Sequence, residues 1–107
     1  MQTGMSSESI KLQGPLTVEH ASGLKSEIAQ ALSDQEAVLL DFSRIEDLDL
    51  ACLQVLYAAR LQAQTSGKGL HFVGSLPSHV SSRLLSCGIL SANSAQAEDL
   101  ESALASF

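Results

Sequence analysis

Acidic residues are concentrated in one short part of the sequence. Asp41, Glu46, Asp47 and Asp49 form a dense group of titratable side chains, and such a group could bind a metal ion or take part in phosphoryl transfer. Each residue also has a simpler structural explanation. Asp49 precedes an apolar segment and is suited to cap a helix there, Asp41 ends an apolar run, and the other two can be solvated. We therefore favour a structural or protein-interface role for this group over a metal site.

Other residue types give little support to an active site. His20, His71 and His79 are far apart, and none pairs with a cysteine or a second histidine at the spacing of zinc ligands. The serines lack the GxSxG pattern of a nucleophile elbow. The segment Gly67-Lys68-Gly69 is too short for a phosphate-binding loop. The sequence thus predicts a protein that is not an enzyme and that needs neither a cofactor nor a metal.

Composition predicts one folded domain over residues 1–107, with residues 1–7 frayed. Hydrophobic residues make up 45% and charged residues 17% of the chain, with few aromatics, so the core must be aliphatic. The formal charge of −6, with scattered basic residues, argues against nucleic acid as a partner. No segment resembles a membrane span or a secretory signal, so we expect a cytoplasmic protein without membrane insertion. Cys52 and Cys87 are expected to be reduced and buried.

The elements that must position the acidic group lie between residues 37 and 74. The apolar run Ala37–Phe42 predicts a strand covered on both faces of a parallel sheet. A polar turn at Ser43-Arg44 and a loop ending at Asp49 would follow, at the carboxyl edge of the sheet. Apolar spacing predicts that the next helix starts at about Leu50 and is largely buried. Glycines end that helix, and the next strand is predicted at residues 70–73.

The flanking segments predict an α/β fold. Residues 10–12 and 16–18 would form an edge hairpin around Gly14-Pro15. Helical spacing predicts an amphipathic helix over residues 21–32, a further helix that is capped by Ser78 and ends at Gly88, and a terminal helix over residues 94–107. Ile89-Leu90 would be a short strand or a buried corner. Whether Cys52 and Tyr57 face the core or a groove stays open.

Three segments of the chain resemble the STAS domain family. They are LQGPLT at residues 12–17, VLLDFS followed by IEDLD at residues 38–49, and GLHFVG followed by LL and CGIL at residues 69–90. Their order and spacing carry the resemblance from about Ile10 to Leu90. It implies an α/β fold with a mixed sheet of about four to five strands, a parallel core, an N-terminal edge strand or hairpin, and about four helices.

The segment after Asp49 departs from the pattern of the family. Antagonist members carry Asp-Ser-Ser-Gly or Asp-Thr-Ala-Gly there, and the second residue after the aspartate is often a serine that an anti-sigma kinase phosphorylates. Here Asp49 is followed by Leu50, Ala51 and Cys52. Alanine has no hydroxyl group, so Ala51 is a lost phosphoacceptor position. The resemblance thus implies a member whose switch is lost or lies elsewhere.

Taken with the resemblance, the acidic loop predicts a non-enzymatic regulatory module that binds a protein partner. The implied partner is an anti-sigma factor, a serine kinase of that type or a chemotaxis-type signalling protein. The alternative is an accessory subunit of a lipid-asymmetry ABC transporter, bound to its ATPase, although the loop threonine usual in those subunits is absent. The predicted partner-binding residues are Ser43, Arg44, Glu46, Asp47, Asp49, Leu50 and Gln54.

Overall fold

The computed structural model describes residues 7–91 and 96–105 of the chain. Within them the fold is α/β, with four helices and a sheet of three parallel strands in the order β1-β2-β3. The expected count of four to five strands was therefore too high for this part of the chain. The elements are β1 (Ser7–Leu16), α1 (Val18–Asp34), β2 (Ala37–Leu48), α2 (Leu50–Thr65), β3 (Gly69–Val73), α3 (Ser78–Ser86) and α4 (Ala97–Ala105).

The predicted N-terminal hairpin is wrong. Strand β1 runs without reversal through Gly14 and Pro15 and pairs in parallel with β2 along its length. Two register shifts flank the Gln13-Gly14 pair, each with one extra residue on β2, and Gly14 has a φ of 70° that suits glycine. Thr17 then precedes helix α1, which begins at Val18. Pairing along the whole of β1 outweighed the local turn signal of Gly-Pro.

Strand β2 is longer than the sequence indicated. It continues through the predicted turn at Ser43-Arg44 and ends at Leu48, so most of the expected loop is strand. The two bulges explain the error, because each shifts which side chains face inward. Phe42, Ile45 and Leu48 are buried at intervals of three residues, rather than the two of a regular strand.

The sheet is covered on one face within the described residues, which corrects the prediction that β2 is covered on both. Val38 and Leu40 are fully buried, whereas Ala37, Leu39 and Asp41 are only half-buried. Buried residues of the four helices join those of the strands in one apolar cluster. The run lacked alternation because Ala37 and Leu39 are apolar although they lie on the less covered face.

The cysteines differ in their surroundings. Cys52 is fully buried in α2, as expected, but Cys87 is exposed, because α3 ends at Ser86 and the chain turns at Gly88. Both are free thiols. Tyr57 is half-buried and packs against the core. Leu90 forms a buried corner rather than a strand, since its N–H donates to the carbonyl of Leu84.

Helix α4 covers the outer edge of β3. The main-chain N–H of Ala97 donates to the carbonyl of Gly74 at 3.0 Å. One carboxylate oxygen of Glu101 accepts the main-chain N–H of Phe72 at 2.8 Å, and the other lies 3.1 Å from Arg60 and 3.2 Å from His71. Glu101 thus satisfies a free strand-edge donor.

The predicted ends of the chain fall partly outside the described residues. Ser7 belongs to β1, and the rest of the predicted frayed segment lies outside them. The terminal helix is described over Ala97–Ala105, within its predicted range of 94–107. In the part of the chain that is described, no helix combines the length and apolar character that crossing a bilayer requires.

Replacing Glu101 by alanine is expected to destabilise the fold by roughly 2 kcal/mol, because the Arg60 guanidinium and the Phe72 N–H would lose a charged partner. Urea unfolding followed by circular dichroism measures this change. The control is Glu98→Ala on the same helix, whose side chain is exposed. Equal losses in the two variants would contradict the role of Glu101 at the strand edge.

Candidate functional site

The starts of α1 and α2 lie side by side at the carboxyl edge of the sheet. Strand pairing sets Leu16 beside Leu48, and the N–H of Asp49 donates to the carbonyl of Leu16 at 3.0 Å. The first residue of each helix, Val18 and Leu50, is a large apolar side chain that is 67% and 65% exposed. Two uncovered apolar side chains are thus presented at adjacent helix starts.

Asp49 caps helix α2, which confirms its predicted role. Its side chain accepts the main-chain N–H of Cys52 at 3.1 Å. This bond satisfies one of the free donors of the first turn, and the carboxylate also suits the positive end of the helix dipole. The cap fixes where α2 begins and therefore which side chains its first turn presents to solvent.

Cys52 holds the two helix starts together. Its thiol donates to the carbonyl of Thr17, with Sγ 3.3 Å from the oxygen. Burial, together with the negative charge of Asp49, raises the pKa of this thiol to about 11. The group therefore stays a protonated donor at neutral pH, where the related family pattern has a glycine that could not make this bond.

Ala51 and Gln54 face helix α1 across a groove of about 390 Å³. The lining is mostly apolar and contains several alanines. Ala51 is half-buried and lies at the α2 start of this groove, next to the exposed Leu50. The residues that line the groove are Ala21, Lys25, Ile28, Ala29, Ala51, Gln54, Val55, Ala58, Ala59 and Gln62.

The four acidic residues are not gathered into one site. Asp41 accepts the main-chain N–H of Ser43 at 2.9 Å, and Asp47 forms an ion pair with Arg83 at 2.8 Å. Glu46 is exposed, while Asp49 is the helix cap. No three histidine, cysteine, aspartate or glutamate residues in the described ranges are grouped as metal ligands would be. The idea that Asp47 is simply solvated was wrong.

Hydrogen bonds lower the pKa values of two of these carboxyl groups. The side chain and main chain of Ser43 hold the pKa of Asp41 below its ordinary range, with help from the charges of Lys11 and Arg44. The main-chain N–H of Leu48 and then Arg83 lower the pKa of Asp47 in the same way. Both groups are therefore carboxylates at neutral pH, and the folded state favours their charged form.

Helix α3 covers the part of β2 that extends beyond β3. Pairing with β3 stops at Asp41, so the following residues of β2 have only β1 as a neighbouring strand. Arg83 donates to the carbonyl of Leu48 at 3.0 Å, and His79 Nε2 lies 2.7 Å from the carbonyl oxygen of Glu46. These side chains take the place of a third strand at that edge.

The predicted binding residues fall into three groups. Leu50 and Gln54 are exposed on the first turns of α2. Ser43, Arg44 and Glu46 are exposed on the second half of β2 rather than on a loop. Asp47 and Asp49 are engaged in contacts within the fold. The sequence analysis did not include Val18 among the candidate residues, because the hairpin prediction placed it in a strand. Thr17 is a residue suited to a helix cap, and this was the available signal that Val18 begins a helix.

Comparison with known proteins identifies the fold family. The family model described as "Mlab, STAS domain" matches residues 1–89. The chain belongs to the STAS domain family. No curated protein matches its sequence. Among solved structures, this STAS domain is similar to the anti-sigma factor antagonist SpoIIAA in its unphosphorylated form, with a TM-score of 0.63 and 12% sequence identity, over 81% of this chain and 77% of that chain. At this identity the likeness concerns the fold.

Replacing Asp49 by alanine is expected to lower the free energy of unfolding by about 1 kcal/mol, because α2 loses its side-chain cap. Asp49→Asn serves as the matched control, since asparagine can accept the same hydrogen bond from Cys52. Chemical denaturation measures both variants. If the asparagine variant loses as much stability as the alanine variant, capping is not the role of this side chain.

The ion pair of Asp47 predicts how stability changes in acid. Because the folded-state pKa of Asp47 is lowered, its contribution is present above the unfolded pKa, near 4, and is lost as the pH falls through the folded pKa. We expect Asp47→Asn to lose less stability than the wild type on acidification from about pH 5 to about pH 3. Urea unfolding at a series of pH values tests this, and parallel curves would contradict it. The effect will be small because both side chains are partly exposed.

Proposed function

We propose that this STAS domain is a non-enzymatic regulatory module that binds a signalling protein through its helix-start surface, defined as Val18, Leu50, Ala51 and Gln54. The exposure of Val18 and Leu50 carries the proposal. Ser43, Arg44 and Glu46, which are exposed on the second half of β2, extend the proposed contact. Asp47 and Asp49 act mainly by holding α3 and α2 in place.

The energetics of apolar burial favour a protein partner. Covering an exposed leucine or valine side chain is worth roughly 1.5–3 kcal/mol. Two such side chains at adjacent helix starts, with the polar side chain of Gln54 nearby, have the composition of a small interface centre with a polar rim. The fold similarity to an anti-sigma factor antagonist supports a regulatory role of this kind.

Control of this surface differs from control by phosphorylation at the usual serine position. Ala51 has no hydroxyl group, so no phosphate can be added there to repel a partner. We propose that the surface is available for binding at all times unless another site regulates it. The partner is an anti-sigma factor, a serine kinase or a chemotaxis-type protein in the bacterial cytoplasm, and binding contributes to signal transduction or transcription regulation.

Charge would assist the encounter with such a partner. The formal charge of −6 and the exposed Glu46 favour a partner surface that is basic, with faster association at low salt. The alternative function, as an accessory subunit of a lipid-asymmetry ABC transporter, would assign the same surface to the transporter ATPase. A capture experiment distinguishes the two partners.

Replacing Leu50 by aspartate is expected to reduce partner capture by about tenfold, because a charge would be placed where the partner covers an apolar side chain. The measurement is a pull-down of tagged protein from its own cells, with quantitative mass spectrometry. Leu61→Asp is the matched control: Leu61 is a 46% exposed leucine on the same helix, about 16 Å further along its axis.

The identity of the captured protein decides between the proposed functions. The signalling role is supported if Leu50→Asp, but not Leu61→Asp, fails to capture a kinase-like ATPase, a sigma-regulatory protein or a chemotaxis protein. Loss of an ABC transporter ATPase supports the alternative. If Leu50→Asp captures as much partner as the wild type and Leu61→Asp do, binding through the helix-start surface is refuted.

A further inference from the structure

The groove between α1 and α2 extends the helix-start surface away from the edge of the sheet. On α2 it is lined from Ala51 to Gln62, a distance of about 16 Å along the helix. On α1 it is lined from Ala21 to Ala29. Its lining begins three residues after the exposed Val18 on α1 and one residue after the exposed Leu50 on α2, so the groove continues from the helix-start surface.

Small side chains give the groove its depth. Ala21 and Ala29 on α1 face Ala51, Ala58 and Ala59 on α2. Since alanine fills little space, a third helix could approach both backbones closely and place larger apolar side chains between them. A groove of about 16 Å matches about three turns of such a helix.

The charge of Lys25 indicates that the molecule bound in the groove carries an acidic side chain. Of the residues that line this groove, all within the described ranges, Lys25 alone is charged. Lys25 is exposed and has no ion-pair partner among the described residues. A carboxylate on the occupant would therefore be attracted to this position on the α1 side, while the apolar floor excludes charge elsewhere.

We infer that the groove between α1 and α2 binds one amphipathic helix of the partner protein, with its apolar face over Ala51, Val55 and Ala58 and an acidic side chain beside Lys25. This inference rests on the proposed function, because it assigns a helix of the same partner to the continuation of the helix-start surface. The partner thus contacts the domain along α2 and not only at its first turn.

Site-specific photo-crosslinking tests this placement. A benzoylphenylalanine is introduced in separate proteins at Leu50, at Gln62 and, as a background control, at the exposed Ser82 of α3. Each protein is irradiated in its own cells, and the crosslinked peptides are mapped by mass spectrometry. Leu50 reports on the proposed function, and Gln62 reports on the far end of the groove.

The expected result is that Leu50 and Gln62 crosslink to the same partner, with the Gln62 crosslink in a helical segment that carries an acidic residue. Ala58→Leu, combined with the Gln62 probe, should reduce that crosslink at least about fivefold by filling the groove, whereas Ala58→Ser should retain it. Lys25→Glu should reduce it and Lys25→Arg should preserve it.

Other outcomes would overturn the inference in distinguishable ways. A partner crosslinked from Leu50 but not from Gln62 would leave the proposed function intact and refute the groove as a helix site. A Gln62 crosslink to a second copy of this chain, or to an extended segment, would assign the groove to a different occupant. No crosslink above the Ser82 background from either probe would refute the proposed function and the inference together.

Discussion

Parallel pairing between β1 and β2 is the interaction on which the rest of the structure depends. It continues from Ser7 beside Ala37 to Leu16 beside Leu48 and passes through two bulges on the way. Because both strands end together, the helices that follow them begin next to each other. Hydrogen bonds from Asp49 and Cys52 to the end of β1 then fix this junction. The exposed Val18 and Leu50 become neighbours only through this pairing.

A sheet of three strands leaves edges that must be satisfied by other groups, and here side chains from α3 and α4 satisfy part of them. Glu101 accepts the N–H of Phe72 at the edge of β3, while Arg83 donates to the carbonyl of Leu48 beyond the end of β3. The charges of these side chains are paired at the same time, with Arg60 and with Asp47. The two helices are thereby fixed by directional contacts as well as by apolar packing.

The proposed binding surface combines a rigid frame with an apolar contact. The side chains of Asp49 and Cys52 form hydrogen bonds within the fold, so we assign them a structural role rather than direct contact with a partner. We propose that the exposed apolar side chains and the alanine-lined groove recognise the partner instead. In this proposal, burial of the apolar side chains provides the affinity, and the net negative charge of the chain influences which partners approach. Without a hydroxyl at Ala51, regulation at this position cannot use phosphate repulsion.

The sequence by itself determined the α/β class, the start of α2 at Leu50, its Asp49 cap and the absence of a hydroxyl at Ala51, because these depend on local spacing and residue chemistry. It did not determine the course of β1, since Gly14-Pro15 is a local turn signal that pairing with β2 overrides. It also misplaced the end of β2, because bulges replace the two-residue period that identifies a strand. Only the tertiary structure decided three further features. The Arg83–Asp47 ion pair and the groove between α1 and α2 each join residues that are distant in the chain. The exposure of Val18 follows from the course of β1, which pairing with β2 sets.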